Sequence, residues 1–191
     1  DSGAPQWCRS PLLLWRVVVR RQLRAFAGAL EDLDELQRVC PRFHVLPLFR
    51  GYVLFDQGLA AQDGGEDPGV CFDRARREFG VAAGNPSLAV CALIARGNLH
   101  QIAAEGLASR GDDALSAYDL AVQDFCAALA IDPANAAGLY SRGQTHRARG
   151  GLLSSMYRAS AEFERRTQKK VQIPRGLQLT VFRNHQNVFQ L

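Results

Sequence analysis

Two histidines, His100 and His146, stand 46 residues apart, and three Arg-Gly pairs, Arg50-Gly51, Arg96-Gly97 and Arg142-Gly143, recur at that same spacing. Imidazoles in step invite a metal or a proton relay, and a ladder of guanidinium groups invites phosphate or an acidic peptide. No Cys, Asp or Glu recurs beside the histidines, whereas zinc wants three or four converging ligands. A histidine filling an aromatic slot between helices is therefore the expected role. The arginines read as structural, their stems covering apolar surface while their heads pair with carboxylates or helix C-termini. A second basic cluster, Arg16, Arg20, Arg21 and Arg24, reads as a solvated helix face.

The remaining reactive groups point away from catalysis. Cys8, Cys40, Cys71, Cys91 and Cys126 form no C-x-x-C pair, so neither a disulfide framework nor a zinc site is expected. Four of them lie in helix-like stretches, where a buried thiol behaves as a small hydrophobe. Compartment logic then places the chain inside the cell, in the cytoplasm. The acid pairs Glu66-Asp67 and Asp112-Asp113 fall at predicted turns and helix starts, where capping explains them. There is no phosphate loop, no G-x-S-x-G and no H-E-x-x-H. The expectation is a protein without enzymatic activity, cofactor or metal.

Composition bounds the class. The 191 residues are 47% hydrophobic and 22% charged, which suits a folded chain. A net charge of +4 is too mild for a dedicated nucleic-acid binder. No apolar run reaches the roughly 20 residues that span a bilayer, so no membrane partner is expected. The stretch from Pro11 to Val19 is interrupted by Arg16 and lacks a cleavage site, so no targeting signal is read there. Asp1 as first residue and Met156 as sole methionine read as a fragment or a processed product.

Elements that position such residues emerge on sliding the chain along itself by 46 residues. Phe26, Phe72 and Tyr118 align, as do Ala29, Ala75 and Ala121; Leu33, Phe79 and Phe125; and Leu36, Ala82 and Ala128. Within each unit the spacings are three, four and three, which puts four side chains on one helical face. Asp32, Glu78 and Asp124 recur beside them, expected on the outer face. Pro41, Pro86 and Pro133 end these helices. Helices carrying the Arg-Gly pairs follow, at about 44–60, 87–108 and 135–149. Their mid-helix glycine costs about 1 kcal/mol against alanine and makes sense where a neighbouring helix packs on the backbone. The fold expected is all-α, a solenoid of antiparallel helix pairs.

The stretch from Tyr118 to Pro133, with Ala121, Phe125, Ala128 and Pro133 at their spacing, resembles the second helix of a tetratricopeptide repeat. The stretch from Asn135 to Gly143 resembles the first helix of the next. The match is specific over 88–150 and weaker over 21–85. The family unit is about 34 residues, so some twelve extra fall in each unit here, expected in the turns at 62–69 and 109–113. An aromatic usual three residues after the glycine is replaced by Leu54, His100 and His146. Repeats of HEAT or armadillo type, with periods of about 40–47 residues, are the rival reading.

The resemblance implies a concave groove that holds a partner peptide or helix. Carried onto this chain, its lining would be Leu48, Tyr52 and Phe55, then Ile94, Asn98 and Gln101, then Tyr140, Gln144 and Arg147. A structural role for the apolar members, packed on a neighbouring helix, stays open. Capture of an acidic chaperone C-terminus is disfavoured, since Ile94 and Ser141 stand where that clamp needs a cation and an amide. The expectation is a protein-interaction scaffold. The alternative is a basic surface, built on the arginine ladder, for an acidic protein or nucleic acid.

The ends depart from the repeat. Residues 1–20 read as a non-repeat segment, 21–150 as the repeats, 151–170 as an imperfect closing helix and 171–191 as a weakly ordered tail.

Overall fold

A computed structural model describes residues 6–167. Seven α-helices occur among them: α1 (Gln6–Gln22), α2 (Phe26–Val39), α3 (Leu46–Asp63), α4 (Gly69–Ala83), α5 (Ala89–Arg110), α6 (Leu115–Ile131) and α7 (Ala136–Thr167). No strand is present among the described residues, and no described helix is long and apolar enough to cross a membrane. Each helix packs on the next, most extensively α3 on α4 and α5 on α6. In addition, α5 touches both α3 and α7.

The repeated faces are the buried ones. Phe72, Ala75, Phe79 and Ala82 of α4 are buried, as are Tyr118, Ala121, Phe125 and Ala128 of α6. In α2 the same columns bury Ala29, Leu33 and Leu36. The core is a string of local clusters: one joins α1, α2 and α3, a second α3, α4 and α5, and a third α5, α6 and α7.

The 46-residue period extends to backbone detail. Gly65 and Gly111 both adopt φ +78°, the left-handed conformation that favours glycine. Around them the Glu66 N–H donates to the Ala61 carbonyl and the Asp112 N–H to the Leu107 carbonyl, at 2.8 and 3.0 Å. One residue further on, Asp67 Oδ1 accepts the Gly69 N–H and Asp113 Oδ1 the Leu115 N–H, at 2.9 and 3.0 Å. The acid pairs therefore close and open helices, as expected. Pro41, Pro86 and Pro133 each follow the end of a helix, also as expected.

Three expectations change. The extra length of each unit lies mostly in the helices, since α3 has 18 residues and α5 has 22, and only 64–68 and 111–114 remain as turns. Residues 6–22 form a helix that joins the core, with α1 burying Leu13 and Val17 against α2. No separate closing helix begins at 151, because α7 runs unbroken for 32 residues. Cys91 and Cys126 are exposed rather than buried. The tail at 171–191 and residues 168–170 of the closing helix lie outside the described residues.

Candidate binding groove

The Arg-Gly column shows how the helices interlock. A Cβ built on Gly51 would lie 2.6 Å from the ring of Phe79, and one built on Gly97 would lie 2.7 Å from the ring of Phe125. Gly58 is closed in the same way by Phe72, at 2.5 Å. Any side chain at these positions would displace an aromatic of the facing helix, so glycine's intrinsic helix penalty is offset by close approach.

The arginines that precede Gly97 and Gly51 find carboxylates on other helices, whereas Arg142 has a 4.0 Å contact to Cys126 Sγ among the described residues. Arg96 donates from Nε and Nη2 to Asp124, at 2.8 and 2.5 Å, a two-point geometry that suits guanidinium. Arg50 reaches Asp34 and Gln37 of α2, at 2.8 and 3.0 Å, and lies 3.9 Å from Glu78 of α4. The acidic column is thus not an outer face: Asp32 and Asp124 are buried and Glu78 is half-buried. Burial pushes the Glu78 carboxyl above its ordinary value, with Arg50 opposing.

The N-terminal basic cluster is likewise engaged rather than merely solvated. Arg16 and Arg20 both donate to the buried Asp32, at 2.6 and 2.8 Å. Arg21 bonds Asp56 of α3 at 2.5 Å and stands 5.0 Å from the Tyr52 ring centre. Arg24 lies 3.3 Å from Asp63 in an exposed pair.

The two histidines part company. His100 is buried with Nε2 3.8 Å from Asp124, and burial holds its pKa below the ordinary imidazole value despite that carboxylate. His146 is exposed. No cluster of three or more His, Cys, Asp or Glu that could hold a metal occurs among the described residues.

A recess of about 450 Å³ opens across α3, α5 and α7. Of the nine groove residues read from the sequence, it brings together Phe55, Asn98, Gln101, Tyr140, Gln144 and Arg147. Three are placed elsewhere. Leu48 is buried in the core that holds Ala92, Ala95 and Leu99 of α5. Tyr52 is half-buried with its ring edge-on to Phe79, centroids 5.3 Å apart. Ile94 is half-buried and does not line the recess. Leu48 enters the core shared by α3, α4 and α5, and Tyr52 packs on Phe79 of α4, so the early residues of that face become core.

The recess also holds Ile102, Glu105, Ser141 and Ala148, which the sequence reading did not name. Ile102 and Glu105 lie four residues beyond Asn98 and Gln101, so extending the same face by one turn would have found them. Its polar groups are partly tied together. Thr145 Oγ1 donates to Gln101 Oε1 at 2.6 Å, and Gln101 Nε2 donates to Glu105 at 2.9 Å. Gln144 Nε2 donates to the Tyr140 hydroxyl at 2.7 Å. Asn98 and Arg147 make no hydrogen bond or ion pair to a described residue, and Tyr140 is 69% exposed. One acid and one base leave the recess without net charge.

No family model, no curated protein and no solved structure matches the chain.

Proposed function

We propose that this chain is a non-catalytic helical scaffold of tetratricopeptide type that binds an extended peptide or helix of a partner protein in the α3–α5–α7 recess. Its helices would form antiparallel pairs stacked as a solenoid. Support comes from the ordering of contacts, since Gly51 meets Phe79 while Gly58 meets Phe72, and from the recurrence of capping detail at one period.

The observation that carries the binding reading is the lining itself. Side-chain amides from Asn98, Gln101 and Gln144, on two successive first helices, face one shallow recess with Tyr140 and Phe55. Each amide offers a donor and an acceptor, the pair of groups that a peptide unit presents in return. Aromatic rings beside them offer apolar area for the partner's side chains.

The arginine-ladder alternative is weaker because two of its three rungs are occupied. Arg96 is held by Asp124, and Arg50 by Asp34 and Gln37. Guanidinium groups so paired have little charge left for phosphate.

The test is capture of partners from cell lysate by wild type and by the triple variant Asn98→Ala, Tyr140→Ala, Gln144→Ala, with unchanged helical circular dichroism required first. Partners retained by wild type across about 50–200 mM salt and lost by the variant support the groove. A capture that collapses over that range and ignores the variant supports the basic surface instead. Equal capture by both proteins at all salt concentrations rejects both readings.

A further inference from the structure

The exposed apolar side chains of α1 fall in one line. Leu12, Trp15, Val19 and Leu23 are 69%, 68%, 38% and 73% exposed, and their spacing of three, four and four puts them on one helical face. Leu13 and Val17, on another face, are buried, so α1 is apolar on two sides. A recess of about 530 Å³ opens along the line, bordered by Leu12, Trp15, Val19, Arg16 and Glu35. Scattered apolar residues on a surface need no explanation, but a contiguous stripe marks a contact. A helix that is apolar on more than one side belongs between neighbours.

The ion pairs fix what this line corresponds to elsewhere in the fold. Arg16 donates from Nε and Nη2 to Asp32 at 2.9 and 2.6 Å, and Arg96 from the same atoms to Asp124 at 2.8 and 2.5 Å. Four residues on, Arg20 also bonds Asp32, where His100 stands 3.8 Å from Asp124. Asp32 and Asp124 share a column of the 46-residue period, so Arg16 holds the place of Arg96 and Arg50. Leu12, Trp15 and Val19 then hold the places of Ala92, Ala95 and Leu99 in α5 and of Leu46, Phe49 and Val53 in α3. The α5 residues are all buried in the core shared with α3 and α4. In α3, Leu46 and Val53 are buried and Phe49 packs beside them in the core shared with α1 and α2. The same line in α7 starts at the buried Gly138, whose built Cβ would lie 3.2 Å from Leu129 of α6. In α3, α5 and α7, therefore, the preceding helix takes part in covering the line that α1 leaves exposed.

We infer that the Leu12–Trp15–Val19–Leu23 face of α1 is a docking surface for one amphipathic helix of a partner protein, with the chemistry that α2 presents to α3. The line reads leucine, aromatic, valine in both α1 and α3. Against α3, α2 sets Leu30, Asp34 and Gln37, spaced four and three apart. Leu30 packs into the shared core, and Asp34 and Gln37 accept from Arg50 at 2.8 and 3.0 Å. Arg16 is the counterpart of Arg50. Its side chain is 49% exposed and its Nη1 donates to no described residue, so it can take a carboxylate or an amide in the same way.

The turns argue for a second molecule as the source. Each covering helix reaches the next through a turn, at 40–45, 84–88 and 132–135. After those turns α3 starts at Leu46 itself, α5 three residues before Ala92 and α7 two before Gly138. Helix α1 starts six residues before Leu12, so helix stands where such a turn would lie.

The test presents such a helix to the full chain. A second copy of residues 25–39 is attached ahead of Asp1 on a flexible Gly-Ser linker of about 15 residues, which holds it at about millimolar effective concentration. Trp7→Phe leaves Trp15 as the sole tryptophan, since the copy has none. Docking is expected to shift Trp15 emission to the blue and to cut its acrylamide quenching severalfold relative to the unfused chain. Leu12→Glu, with helical circular dichroism unchanged, abolishes both effects; Leu23→Glu serves instead should Leu12→Glu disturb the fold. Asp34→Lys, made in the copy alone, weakens both. Unchanged Trp15 emission in the fusion overturns the inference. So does an equal shift with a scrambled copy, or one that survives Asp34→Lys. Burial of Trp15 in the unfused chain as its concentration rises, lost on Leu12→Glu, assigns the face to a second copy and rejects the partner helix. None of these outcomes depends on the α3–α5–α7 recess.

Discussion

The ring of Phe125 rests on the backbone of Gly97, so near that a single added carbon on the glycine would fall 2.7 Å from the ring. Beside this contact Arg96 and Asp124 close the same two helices with paired hydrogen bonds. Packing and charge pairing thus act on adjacent residues of both helices, and the glycine–aromatic contact recurs at Gly51 and Phe79.

Adding a methyl group at this contact overpacks it. Gly97→Ala is expected to destabilise the fold by about 1–3 kcal/mol, and Gly51→Ala by a similar amount. Gly106 of α5 has only an arginine tip near it, 3.8 Å from a built Cβ, so Gly106→Ala is expected to stabilise by up to about 1 kcal/mol. Urea denaturation midpoints of the three variants provide the check.

The ion pairs differ in worth by burial. Asp124→Ala leaves the Arg96 guanidinium without its buried acceptor and is expected to cost about 2–4 kcal/mol. Asp73→Ala removes an exposed pair with Arg76 and is expected to change stability by less than about 0.5 kcal/mol. Equal effects for the two would contradict the burial argument.

Acid should expose the role of His100. Burial depresses its folded pKa, so below about pH 6.5 the unfolded chain binds a proton that the folded protein does not. The associated stability is present above the ordinary imidazole pKa and is lost as pH falls towards the folded one. His100→Leu, which installs the residue type found at Leu54, is expected to flatten the fall in stability between about pH 7 and pH 5. Unfolding curves recorded across that range for both proteins would show it, and parallel losses would refute it.

Two tyrosines separate packing from recognition. Tyr52 is wedged against Phe79 and under Arg21, so Tyr52→Ala is expected to cost about 2–4 kcal/mol. Tyr140 is exposed in the recess, and Tyr140→Ala is expected to leave stability within about 0.5 kcal/mol while weakening partner capture. Thermal unfolding paired with a binding assay tests both halves of this statement.

These contrasts mark how far the site could be read from the residues. Phe55, Asn98, Gln101, Tyr140, Gln144 and Arg147, carried over from the tetratricopeptide resemblance as groove candidates, line one recess. Leu48 and Tyr52 lie outside the recess because spacing along α3 does not reveal which neighbours cover its first turns, for Tyr52 the ring of Phe79 and the Arg21 guanidinium. The acids Asp32, Glu78 and Asp124 were read as outward because their arginine partners lie on other helices. A shared period between the Arg and acid columns was the one signal that could have paired them.

The residue string by itself determined the helices, their repeat and their buried faces. A spacing of three and four residues is a property of the helix itself, and the turn glycines and prolines act locally. Only the tertiary structure decided which residues of α3, α5 and α7 line the recess and which enter the core, that the acidic column turns inward, and that α7 continues unbroken past Gly151. Those outcomes depend on which neighbour covers a face, and that neighbour is remote in sequence.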